Sequence, residues 1–102
     1  MNGAHRFIPE AITVKVREPV TFTNEGGEAH TVTAYEDRIP QGAEYFSSGG
    51  LASESEAREN TAESLITEGD SFEVTLETPG TYEYFCIPHE QQGMKGTIVV
   101  EK

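Results

Sequence analysis

The residues best equipped for chemistry lie close together, in Cys86-Ile87-Pro88-His89-Glu90-Gln91-Gln92-Gly93-Met94. The spacing Cys-x2-His-x4-Met puts a thiolate, an imidazole and a thioether in one short segment. Pro88 and Gly93 are residues that bend a chain, so a tight loop can fold His89 and Met94 back over the sulfur. Soft sulfur suits Cu(I), imidazole nitrogen suits Cu(II), and two histidines with a cysteine and a weak axial methionine serve both. Little then has to move when an electron arrives or leaves. The loop supplies one imidazole, so a second must come from elsewhere.

His30 fits that role. The chain has three histidines, and the competitor His5 lies near a terminus, where chains fray. His30 follows the turn Asn24-Glu25-Gly26-Gly27 and opens a β segment, which a sandwich can bring beside the last loop. The expected metal site is His30, Cys86, His89 and Met94, holding one copper per chain. Each residue alone has a plainer reading. A lone cysteine is usually a small buried hydrophobe, a lone histidine on a loop a surface residue, a lone methionine core filler. Their combination at this spacing points to a metal. Pro88 has no N–H to give the Cys86 sulfur, so other donors must serve it. His89 is expected to face solvent, within a flat patch of Gly26, Gly27, Pro40 and Pro88.

The positioning elements read as strands. Ile12, Val14 and Val16 alternate with polar residues, Val20 and Phe22 continue an apolar face, and His30–Tyr35 is rich in Thr and Val. Phe72, Val74 and Leu76 alternate again, Tyr82, Tyr84 and Cys86 share one face, and Gly96–Glu101 closes the chain. Period-two patterns broken by turn signals such as Thr78-Pro79-Gly80 argue an all-β, Greek-key β-sandwich. From about Pro40 to Ser64 the chain turns to Gly, Ser and Glu, a long acidic surface excursion. It has room for a short helix over Ser53–Asn60, with Ser53 as N-cap and Glu54 and Glu56 in the first turn.

With 102 residues the chain suits one domain spanning 1–102. Seven basic against 18 acidic residues give a net charge of −11, which disfavours nucleic acid and anionic membrane surfaces. That charge fits plain solubility, life in high salt, or an acidic docking face for a basic redox partner. One cysteine excludes an internal disulfide, and no apolar run is long enough to span a membrane. Met1-Asn2-Gly3 reads as an excised start, so a native signal or anchor can be missing from the sequence.

The chain resembles the plastocyanin and halocyanin group of the cupredoxins, small type 1 blue-copper proteins. The likeness runs from Phe7-Ile8-Pro9 through Val20-Thr21-Phe22-Thr23-Asn24 and Ala29-His30-Thr31-Val32. Its most specific part is Gly80-Thr81-Tyr82-Glu83-Tyr84-Phe85-Cys86-Ile87-Pro88-His89, then Gly93-Met94 and Gly96. The acidic composition is similar to the haloarchaeal branch, halocyanin. The resemblance implies a monomeric electron carrier that shuttles single electrons between redox protein donors and acceptors, in membrane-associated complexes. It implies an extracytoplasmic place, at the outer face of the cytoplasmic membrane. Phe85 and Thr31 depart from the plant pattern, which has Tyr before the ligand Cys and Asn after the first His. These departures put in doubt an exit route through that Tyr, and leave open whether Thr31 ties the ligand loops together.

Other classes fit less well. A thiol enzyme built on Cys86 and His89 lacks a third group to orient its base, and gives Met94 no purpose. Structural zinc rarely takes Met. A copper chaperone, the alternative function, must release its ion readily, which a strand-held buried cysteine opposes. Multicopper or binuclear chemistry needs more His and Cys than this chain has.

Overall fold

The computed structural model describes residues 7, 10–25 and 28–102. His5, Ile8-Pro9 and the Gly26-Gly27 half of the expected turn lie outside them. Among the described residues six strands form two sheets. β1 (Ala11–Lys15), β6 (Lys95–Glu101), β5 (Gly80–Phe85) and β3 (Thr33–Ala34) make one sheet in that order, and β2 (Pro19–Thr23) pairs with β4 (Ser71–Thr75) in the other. From β1 to β5 the chain alternates between sheets at every step, and β1 and β6 run parallel.

The alternation in the sequence is the alternation in burial. Val20 and Phe22 of β2 are buried between exposed neighbours, and Gly96, Ile98 and Val100 of β6 are buried with half-buried Thr97 and Val99 between them. They meet Val32, Phe46, Ile66, Leu76, Tyr82, Tyr84, Cys86 and Met94 in one core. Phe7, Phe22 and Tyr84 cross edge-on at its centre, with ring centroids 4.7 to 6.1 Å apart, the geometry that aromatic quadrupoles favour. Gly96 lies opposite Tyr84 in the ladder, and that ring crosses it so closely that a Cβ would fall 2.4 Å from the ring carbon.

The segment His30–Tyr35 is less regular than expected. Only Thr33–Ala34 is strand, yet 30–34 are all buried, covered on one side by Ser47 and Ser48. The helix α1 (Glu54–Glu59) forms where expected, with the Ser53 hydroxyl accepting from the Glu56 N–H at 3.1 Å. A further turn, α2 (Thr61–Ser64), follows it.

The excursion is not purely surface, which corrects that expectation. Phe46, Ser47, Ser48, Ala57 and Ser64 are buried. The Ser48 hydroxyl accepts from Val32 N–H (3.0 Å) and donates to the Ser64 carbonyl (2.6 Å). Small hydroxyl side chains satisfy backbone groups that strand pairing leaves open, so a polar stretch can be packed without apolar periodicity.

Candidate metal centre

Two chain segments build the site. Cys86 follows the last residue of β5, fully buried, and the chain then turns through 3-10 geometry over Ile87–Gln92 to a left-handed Gly93 (φ 84°). Cys86 N–H donates to the Met94 carbonyl at 3.0 Å, and Met94 N–H to that of His89 at 3.3 Å. These bonds close the loop on itself. His30 is held from the other side, exchanging both backbone hydrogen bonds with Ile66 (3.0 and 2.6 Å). Buried Asn24 donates its amide to the carbonyls of Glu28 and Ile66 at 2.7 and 2.6 Å, which ties the approach to His30 in place.

The structure brings His30, Cys86 and His89 together, with one donor atom of each within 4.8 Å of the others. Cys86 Sγ lies 3.7 Å from His30 Nδ1, and the imidazole centroids are 5.1 Å apart. Two donors bound to one ion at about 2.0–2.3 Å are spaced by about 3.5 Å, so the donor set and its spacing fit a metal. Met94 is fully buried in the core beside them in sequence. His89 is the most exposed of the three, with its side chain 15 % accessible. Its Nδ1 meets Gln92 Oε1 at 2.9 Å and its Nε2 meets Glu28 Oε2 at 3.3 Å.

The sulfur takes its hydrogen bond from Thr31 N–H at 3.3 Å, the donor that Pro88 could not be. Burial pushes the Cys86 thiol up, opposed by the N–H groups of Thr31 and His89. A metal that binds Cys86 as the thiolate displaces the thiol proton. Thr31 also answers the question its identity raised. Its Oγ1 accepts from Ile87 N–H at 2.9 Å and lies 3.0 Å from Thr33 Oγ1, so this side chain ties the segment of His30 to that of Cys86.

Pro40 is misplaced in the expected patch. Its ring covers Gly80 at the start of β5, and a strand rising about 3.3 Å per residue puts that end far from Cys86. Sequence reasoning also missed Glu28, Asn24 and Gln92. Asn24 and Glu28 act through residues distant in sequence, Ile66 and His89, and Gln92 meets His89 within the loop only once that loop has folded.

The sequence model of the copper binding proteins, plastocyanin/azurin family, matches residues 1–101. A plastocyanin of Scenedesmus fuscus is 38% identical over 100 residues, covering 98% of this chain and 91% of its own. A chloroplastic plastocyanin of Physcomitrium patens is 37% identical over 99 residues, and the chain spans 52% of its length. The oxidized plastocyanin of Dryopteris crassirhizoma superposes with a TM-score of 0.65 at 35% identity, covering 94% of this chain and 88% of that one. The fold and site thus define a cupredoxin. The chain belongs to the copper-binding plastocyanin/azurin family. Like its plastocyanin relatives it is a copper protein that carries electrons, not an enzyme.

Proposed function

We propose that His30, Cys86, His89 and Met94 are the ligands of a single type 1 copper, within one domain spanning residues 1–102. The observation that carries this is the convergence of His30, Cys86 and His89 from two distant segments, with a buried thiol 3.7 Å from a buried imidazole. Bound there, copper supplies one-electron chemistry by alternating between Cu(I) and Cu(II). The residues supply a fixed cage: Thr31 N–H steadies the sulfur, Ile66 holds His30, and the Cys86–Met94 backbone bond holds the loop. A metal at His89 takes one ring nitrogen from Gln92 or Glu28, and the partner left on the other nitrogen orients the ring.

Electrons pass through the His89 edge, the part of the cage nearest solvent. The Glu28 carboxylate, half exposed beside that ring, makes the rim acidic. Together with the net charge of −11 this suits basic redox partners, of the membrane-associated electron-transport kind. The same charge supports a halocyanin-like, haloarchaeal origin, and the likeness to that group suggests a place at the outer face of the cytoplasmic membrane. Melting temperature then climbs from dilute buffer to molar salt as repulsion is screened, and a flat profile counts against the halophilic part. The copper-chaperone alternative is separated by kinetics. A shuttle exchanges electrons quickly and gives up copper slowly to a chelator, whereas fast copper release with sluggish electron exchange makes the chaperone the better reading.

A further inference from the structure

The ligand loop is gripped from outside as well as from within. Arg58 of α1 forks onto both oxygens of Glu90, Nη1 to Oε1 at 2.9 Å and Nη2 to Oε2 at 3.2 Å. Its Nε donates to Glu54 Oε2 at 3.0 Å. The Tyr35 hydroxyl donates to Glu90 Oε2 at 2.7 Å. The same two residues cover Phe85, which is fully buried. The Tyr35 ring stacks on it at 4.2 Å and 21°, and the Arg58 guanidinium carbon sits 4.5 Å from its centroid. Phe85 precedes Cys86 and Glu90 follows His89. One network therefore holds the neighbour of each of two ligands.

The holding elements are themselves fixed. Glu36 and Glu54 each accept the other's backbone N–H, at 3.0 and 2.8 Å, which joins α1 to the chain just after Tyr35. Ala57 of α1 is fully buried. An isolated exposed ion pair does little, because solvent and side-chain freedom erode it. A bidentate fork in a network is different, since it sets the angle as well as the distance between its partners, and arginine over an aromatic face adds to the attraction.

We propose that Arg58 and Tyr35 are positioning residues for the copper centre, holding Glu90 and Phe85 so that the Cys86–His89 separation is set before metal binds. This rests on the copper reading above. A cage set in advance keeps one geometry through both oxidation states, which favours fast electron exchange. The acidic excursion thus has a role: it carries the outer half of the clamp.

The test compares wild type with Arg58→Met, Arg58→Lys and Tyr35→Phe, both metal-free and copper-loaded. In metal-free Arg58→Met, amide hydrogen exchange at Ile87 and 89–94 quickens by about tenfold while β1, β2 and β4 are unchanged. In the loaded protein the visible band shifts and electron self-exchange slows by about threefold or more. Arg58→Lys falls between, because an ammonium cannot fork. Tyr35→Phe, which keeps the stack, shows a smaller change of the same kind and serves if Arg58→Met does not fold. Variants with unaltered loop exchange, band and self-exchange overturn the proposal, whatever their melting temperature, and leave the copper reading standing. A folded wild type that takes up no copper overturns both.

Discussion

At the residue scale, residues other than the candidate ligands hold the candidate site together. Thr31 Oγ1 accepts from Ile87 N–H, so Thr31→Val leaves that N–H without its partner. The expected cost is about 1–3 kcal/mol, read by denaturant melts, with Thr31→Ser close to wild type. Equal stability of the valine and serine variants would remove the tie between the two segments. The candidate ligands were legible because their chemistry is rare and their spacing local, and His30 followed from the scarcity of histidine. The tie through Thr31, the Asn24 anchor and the Glu28 and Gln92 contacts with His89 were not. Each joins residues that the strand pattern does not relate.

At the element scale, strands read true where one face is buried. β1, β2, β4 and β6 alternate in sequence and in exposure. The middle of the chain read poorly, because Ser47, Ser48 and Ser64 are buried through hydroxyl bonds to backbone, and burial of that kind has no hydrophobic period. The helix over Ser53–Asn60 was legible from its cap alone. The pairing of β5 with β6 has its own requirement: Gly96 must stay small beneath the Tyr84 ring. Gly96→Ala forces that buried ring aside and is expected to destabilise by about 1–3 kcal/mol. The change shows in urea melts, and a neutral result would mean the sheet yields there freely.

At the scale of the whole molecule, burial sets the response to alkali. Tyr35, Tyr45, Tyr82 and Tyr84 are all held above the ordinary 10.0, chiefly by desolvation. Their folded values exceed their unfolded ones, so the associated stability is fully present below pH 10 and is lost as pH rises through the folded values. Melting temperature is expected to fall steeply above about pH 10, with tyrosinate absorbance appearing only on unfolding. Tyrosinates forming in a folded chain of constant stability would contradict this. The net charge of −11 was plain in the sequence, but its meaning was not, because solubility, salt and docking all draw on the same carboxylates. The Glu28 position beside His89 gives the docking reading a location.

The most direct measurement is a titration of the metal-free protein with Cu(II), followed by visible absorption. An intense blue band that saturates at one copper per chain, and is absent from Cys86→Ser, is the predicted result. A folded protein with reduced Cys86 that stays colourless, or takes up copper without saturating, would contradict the assignment of a type 1 site.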